Sequence, residues 1–322
     1  MTSDQTTYLV FGSILILALI FDLGLLSKKD QKITIRQALY QTFFWVGLAL
    51  AFFVYMWIEK GQQLALEYIS GYLMEWSLSI DNIFVFILIF SSFGVKEKFY
   101  GRVLLIGILM AVIFRVIFIT VGVALVHQFE WVLYIFGAFL LYTGYKMFTA
   151  SDDEEFDPHD TKVYRWMQKL LPLVPHDGDG HYVVREGGKR KYTSLFVVVM
   201  MLAAIDLVFA LDSIPAVMGI SQDKLVIYTS NIFAVLGLRS LFFLLRGAVS
   251  KFDYLQQGIA IVLGFIGVKM LAQDLINKWI PDKTIQVVIS LGVIMVCLGG
   301  SIFYSIFMKK KGVPPEVTDD SI

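Results

Sequence analysis

Apolar residues in this chain fall in long, nearly unbroken runs, not in the short rhythm of a half-buried strand or a surface helix. A helix needs about twenty such residues to cross a ~30 Å hydrocarbon core. Nine runs meet that length, at roughly 8–26, 38–58, 66–93, 101–126, 130–149, 194–220, 225–246, 255–273 and 284–308. The pattern predicts an all-α, polytopic membrane helix bundle of about nine transmembrane helices. The third and sixth runs are long enough to imply tilt or a break, and Pro215 predicts the break in the sixth. The first run lacks a basic leader and lysines follow it directly, so it reads as a retained span and not as a cleaved signal.

The charges between the runs give an orientation. Connections after odd-numbered runs, with the C-terminal tail, hold nineteen lysines and arginines; those after even-numbered runs hold four, Lys60, Lys224, Lys278 and Lys283. Basic connections stay in the cytoplasm, so the N-terminus is expected outside and the C-terminus in the cytoplasm. Four bases remain, and they fall inside runs as a matched set: Arg115 with Arg239, and Lys146 with Lys269. Arg115-Val-Ile-Phe parallels Arg239-Ser-Leu-Phe, and Gly144-Tyr-Lys146-Met147 parallels Gly267-Val-Lys269-Met270. The matching predicts two repeats of three spans each, and an odd number of spans inverts the second relative to the first. The expected organisation is two peripheral helices in 1–65, repeat one in 66–149, a cytoplasmic loop in 150–193, repeat two in 194–273, a last helix in 274–308 and a tail in 309–322. In the loop, Tyr164 to Leu171 is expected to form a short interfacial helix before Pro172, and His176-Asp177-Gly178-Asp179-Gly180-His181 a polar turn.

Composition narrows the chemistry. Charged residues make up 17% of the chain, against about 25% in a soluble domain. The net charge is zero, which gives no basis for a nucleic-acid partner. Cys297 is the only cysteine, so metal ligands must be oxygen or nitrogen, and an internal disulfide is excluded. No phosphate loop and no nucleophile–base arrangement is present, so an enzyme is not expected, nor is a permanently bound cofactor.

What is unusual is acid at membrane depth. Glu75-Trp-Ser-Leu-Ser-Ile-Asp81-Asn82 and Asp206-Leu-Val-Phe-Ala-Leu-Asp212-Ser213 each place two carboxylates six residues apart, with a small polar residue after the second. A charge there costs roughly 2.5–3.5 kcal/mol on insertion scales, so it marks a functional site by default. On a helix Glu75, Ser79 and Asn82 share one face, as do Asp206, Ala210 and Ser213, while Asp81 and Asp212 project about 120° away. Two facing helices can still bring these oxygens together. Glu75, Asp81, Asn82, Asp206, Asp212 and Ser213 are therefore the candidate metal ligands. They suit a hard divalent cation: Ca²⁺, Mg²⁺ or Mn²⁺. Arg115, Arg239, Lys146 and Lys269 are candidate charge-balancing groups, and Asp22, Ser79 and Asn231 accessory ones. Asp81 and Asp212 are expected to meet at the midplane. Lys146 and Lys269 near opposite membrane faces also fit simple snorkelling, Asp22 is close enough to a span end to reach water, and Glu59 and Glu67 are expected to be solvated.

These stretches, with Tyr228-Thr-Ser-Asn231-Ile-Phe-Ala-Val-Leu-Gly-Leu-Arg239-Ser-Leu, resemble the TerC family and its Alx-like members, within the broader group of LysE-type exporters. The resemblance covers about Phe21 to Met308. It implies a bacterial or chloroplast membrane protein associated by name with tellurite resistance, and with manganese export and metal supply to secreted enzymes. Its motif acids fall on Glu75, Asp81, Asp206 and Asp212, beside Asn82. It also implies a Glu three residues before Asp206, where this chain has Ala203. The expectation is a secondary transporter that exports a divalent cation, with protons as candidate counter-ion; Mn²⁺ over Ca²⁺ rests on the resemblance alone. The alternatives are a non-transporting scaffold of a tellurite-resistance or metallation complex on the bilayer, with 150–193 as its docking surface, and a Ca²⁺/H⁺ exchanger. The sequence leaves the oligomeric state open.

Overall fold

The structure, a computed structural model, describes residues 3–21, 33–149, 157–246 and 254–312. It is a helical membrane bundle. Ser3–Phe21 forms α1, Ile35–Lys60 α2, Gln62–Ser92 α3, Glu97–Gln128 α4 and Val132–Thr149 α5. Lys162–Leu170 forms α6, Val183–Glu186 and Lys189–Tyr192 the antiparallel pair β1–β2, Ser194–Ile220 α7 and Lys224–Leu245 α8. Leu255–Leu271 (α9), Gln273–Trp279 (α10) and Lys283–Gly312 (α11) complete it. Among the described residues seven helices, α2–α5, α7, α8 and α11, are long and apolar enough to span a membrane, α9–α10 makes an eighth if its bent halves count as one, and α1 contains a shorter apolar helix.

Local chemistry sets the ends. Thr34 caps α2, its side chain accepting from the Gln37 N–H while the Gln37 side chain returns the bond to the Thr34 N–H. Gly61, at φ 88°, is the sole link between α2 and α3, a conformation that glycine adopts without a Cβ penalty. Asp223 caps α8 by accepting from Val226 N–H. The expected break at Pro215 does not occur: α7 runs from Ser194 to Ile220 through the proline. The proline still lacks an N–H, so the Leu211 carbonyl one turn back loses its α-helical partner there. The sharp bend lies instead between α9 and α10, which meet at 79°.

α8 is the axis of the bundle. Within its most apolar stretch 89% of residues are buried, against 17% in α5 and 22% in α11. It is buried on all sides, as a helix enclosed by others is, and its buried residues include Asn231 and Arg239. α3 and α2 lie against it, with Phe52, Tyr68 and Phe233 packed ring to ring. α3 packs on α8 and α4 on α7, while α5 packs on α9. These are the pairs that exchange when α3–α4–α5 is matched in order with α7–α8–α9. α5 and α9 cross through small residues: a Cβ on Gly137 would stand 3.1 Å from the Gly267 carbonyl oxygen, and one on Gly144 2.8 Å from that of Ala260. Such contacts let backbones approach where lipid gives no hydrophobic drive.

Residues 157–193, between α5 and α7, hold more than a polar turn and one helix. α6 forms where expected. β1–β2 is a hairpin turned by Gly187-Gly188, both at positive φ. It is held to the α3–α4 corner: Lys96 Nζ lies 2.8 Å from Asp177 Oδ2, and Arg102 donates to the Gly180 carbonyl and, at 3.1 Å, to Tyr182 Oη. Gly180, at φ 92°, packs so closely on Phe99 that a Cβ there would lie 2.8 Å from the ring.

Candidate functional site

Four helices converge on one arginine. Arg115 of α4 is 1% exposed, and it faces Glu75 of α3 and Asp206 of α7, exposed by 0% and 1%. Its Nε donates to Asp206 Oδ2 at 2.7 Å and its Nη2 to Oδ1 at 3.0 Å, the two-pronged geometry that a planar guanidinium offers a carboxylate. Its Nη1 donates to Glu75 Oε1, to Asn231 Oδ1 of α8 at 3.2 Å, and to Ser213 Oγ at 3.4 Å. Asn231 Nδ2 donates to the other Glu75 oxygen at 2.9 Å. Each carboxylate oxygen has a donor, which is what burial demands. Two acidic side chains thus share one guanidinium.

The structure thus brings together Glu75, Asp206, Ser213, Arg115 and Asn231 from the expected residues. Ser79, one turn beyond Glu75, is fully buried, and its hydroxyl has no hydrogen-bond partner among the described residues. Asn82 is buried on the same helix, two turns from Glu75. Asp212 is half-buried and points toward α5, where Thr143 Oγ1 donates to its Oδ1 at 3.1 Å. The side chain of Asp81 and all of Asp22 lie outside the described residues, so the expected meeting of Asp81 with Asp212 falls outside them too. Among the described residues no group of three or more His, Cys, Asp or Glu stands ready to hold a metal.

Arg115 is the charge-balancing candidate in direct contact with Glu75 and Asp206. Arg239 is buried on α8, two turns beyond Asn231. Lys146 is exposed at the end of α5 and does not reach the cluster. Four methylenes let it keep its ammonium in water, which is the snorkelling alternative. Lys269 is corrected in the other direction: it is buried, and its Nζ donates to Ser290 Oγ of α11 at 3.1 Å. Glu67, expected in solvent, is only 7% exposed; it accepts from Gln63 Nε2 at 2.9 Å and from the Ser221 hydroxyl. Its signal was present as the i, i+4, i+8 series Glu67, Gly71, Glu75 on one helix face. Thr143 carried no signal, because only the packing of α5 on α7 brings it to Asp212.

The family model described as the integral membrane protein TerC family matches residues 60–313. An uncharacterized membrane protein of Myxococcus xanthus, STKORF319, is 40% identical over 309 residues, which is 96% of this chain and 94% of that protein. An uncharacterized membrane protein of Rickettsia bellii is 38% identical over 305 residues, 94% of this chain and 98% of its own. Alx of Escherichia coli (strain K12), provisionally named a membrane-bound redox modulator, is 38% identical over 293 residues, 88% of this chain and 89% of that protein. No solved structure matches at a significant level. A bundle with acids and an arginine locked at its centre, matched over most of its length by one family model, belongs to the TerC family of integral multi-pass membrane proteins.

Proposed function

We propose that the protein is a secondary transporter that exports a divalent metal cation, Mn²⁺ foremost, through a carboxylate site between two inverted repeats, with protons as the coupling ion. One observation carries this reading: Glu75 and Asp206, from different helices, are buried at the centre of the bundle with a shared Arg115 between them. A helix staple needs one acid for one base. Two acids on one base leave a negative surplus that a cation offsets, and Arg115 stands in the cation's place as an internal substitute. Binding of Mn²⁺ then displaces the guanidinium, and its return expels the ion. Asn231, Ser213 and the Ser79 hydroxyl, which has no hydrogen-bond partner among the described residues, supply the neutral oxygens a hard cation prefers. The packing of α3 on α8 and α4 on α7 supports the inverted repeats. With nineteen basic residues on one set of connections, the membrane orientation is N-terminus out and C-terminus in. Expelling a divalent cation against a negative interior costs about 4.6 kcal/mol per 100 mV, hence the coupling.

The redox role in the name of the Alx relatives cannot run here through an internal dithiol, because Cys297 is the only cysteine. Metal supply is the route this chain's residues allow. The folding of 157–193 into a clamped hairpin and helix favours a second reading, a scaffold that docks a partner there. The test is the purified full-length protein in liposomes, with Mn²⁺, Ca²⁺, Mg²⁺ and Zn²⁺ flux measured under a set pH gradient. Flux of Mn²⁺ that vanishes in Glu75→Gln/Asp206→Asn supports the transporter. No divalent flux, with function in cells lost only on deletion within 157–193, would establish the scaffold.

A further inference from the structure

At the end of the bundle where α2 turns into α3 lies a cavity of about 460 Å³ between α3, the end of α7, α10 and the start of α11. Its walls are polar, with Glu67, Ser221, Lys269, Gln273, Asn277 and Gln286 among them. Glu67 and Asp223 bring negative charge to these walls, and Lys269 and Lys283 positive charge. Glu67 accepts hydrogen bonds from the neutral donors Gln63 and Ser221, and Lys269 donates to Ser290.

The cavity is in register with the buried cluster. α3 and α7 run antiparallel, and three rungs join them at four-residue spacing. Glu75 and Ser213 share Arg115. One turn outward, a Cβ on Gly71 would lie 3.3 Å from Val217 Cγ1 and 3.0 Å from Ser230 Oγ of α8. One turn further, Ser221 donates to Glu67 at the cavity wall. The seam therefore has oxygens at both ends and a tight, largely apolar rung between them. Eight residues of helix separate Glu67 from Glu75, a rise of about 12 Å. Hydrophobic rungs of this kind close a path by excluding water.

We propose that this cavity is a second ion site, one step beyond the buried cluster, where Glu67 takes a divalent cation on its way out past the Gly71–Val217–Ser230 rung. The proposal rests on the transporter reading. Glu67 is a hard ligand on a wet wall, with carbonyl-bearing amides close by to share the ion's hydration shell. Lys269 on the same wall keeps the site weak, and a release site has to be weak. The basic-poor end of the bundle, to which the cavity opens, is the outer end in the proposed orientation.

The experiment uses purified full-length protein with Cys297→Ser, which removes the one native thiol, and Gln222→Cys, an exposed residue of the cavity wall, as reporter. Its labelling rate with a charged thiol reagent is measured with millimolar Mn²⁺, Mg²⁺, glycine or choline, with and without Glu67→Gln. Liposome flux is measured in parallel on the same proteins. The expected result is several-fold slower labelling in Mn²⁺ that disappears with Glu67→Gln and is absent in choline. Protection that survives Glu67→Gln, or none at all while wild-type Mn²⁺ flux persists, overturns the second site and leaves the transporter reading intact. Protection by glycine but not Mn²⁺ also overturns it, by assigning the cavity to a zwitterion held between Glu67 and Lys269. Mn²⁺ protection without any Mn²⁺ flux would support the site and sink the transporter reading instead.

Discussion

Replacing Arg115 with Met separates a helix staple from an ion site. Methionine keeps the length of the side chain and removes five hydrogen bonds along with the charge. Glu75 and Asp206 are then left buried without the guanidinium that both touched. Truncating one partner of a buried, hydrogen-bonded ion pair costs about 3–5 kcal/mol, most of it the penalty on the charge left behind. A divalent cation can restore that loss directly, because the position of the guanidinium is empty. At a hundred times its Kd, a ligand that binds only the folded state stabilises it by about 2.7 kcal/mol. In the wild type the ion must first displace Arg115, so the same concentration gives a smaller shift. The assay is thermal unfolding in detergent across a Mn²⁺ titration, with choline as the ionic-strength control. Arg115→Met is expected to have a lower Tm than wild type without metal and a larger Mn²⁺-dependent rise. Its flux in liposomes should fall, since nothing internal returns to expel the ion. A variant that is destabilised and gains nothing from any divalent cation would refute the argument, and would leave the cluster as a staple.

Gly267→Ala places a methyl about 2.8 Å from the Gly137 carbonyl oxygen; overpacking of this kind costs about 1–3 kcal/mol, read as a lower Tm, with Gly264→Ala, which meets nothing within 4 Å, as the silent control. Ser79→Ala removes a buried hydroxyl without a partner among the described residues, so it should raise stability by about 1 kcal/mol while reducing Mn²⁺-dependent stabilisation; a metal response equal to wild type would remove Ser79 from the ligand set. The hydrogen bond from Lys96 holds the Asp177 carboxyl below its ordinary value of 3.8. A carboxyl depressed in the folded state stabilises the clamp above its unfolded value and loses that as pH falls below it, so protease nicking of 157–193 should rise below about pH 4 in wild type and at neutral pH in Asp177→Asn. A reporter fused to the C-terminus should be active in the cytoplasm; activity on the other side would overturn the orientation drawn from the basic residues.

Much of this was legible from residue types alone. The long apolar runs gave the helices, because a bilayer makes helix the one economical way to pair every backbone N–H and C=O. Glu75, Asp206, Arg115, Ser213 and Asn231 could be named because charge and amide at membrane depth are too costly to be incidental. What periodicity could not give was partner choice. Asp212 looks equivalent to Asp206 in spacing, yet the 120° turn between them points one at Arg115 and the other at Thr143 on α5. Glu67 read as a surface residue because it lies near a span end; the bend between α9 and α10 folds a polar helix over that end and shapes the wall around it. Pro215 read as a break, but a proline removes only one hydrogen bond from a helix whose neighbours hold it in place. The hairpin's Gly187-Gly188 turn was visible in the sequence and masked by the weight of the charged residues around it.

The two acids on Arg115 bear on where an ion would sit. Under the proposed inverted repeats Glu75 and Asp206 are counterparts, and a two-fold axis keeps counterparts at equal distances. Both reach one guanidinium, so both lie close to that axis. The α5–α9 crossing has the same property: matching Gly144 with Gly267 also matches Gly137 with Ala260, so the contact of Gly137 with Gly267 exchanges with that of Ala260 with Gly144. A site on the axis is contributed equally by the two repeats. In the proposed transporter, rocking one repeat against the other would change which end of the α3–α7 seam is open without dismantling the site, since each repeat carries its own acid. Arg115 breaks this equality, because it belongs to one repeat and grips Asp206 of the other with two prongs. In the proposed transporter, that grip would lock the repeats together; an ion that takes the acids from Arg115 would then unlock the movement that carries it, and an empty site would return to the locked state without leaking.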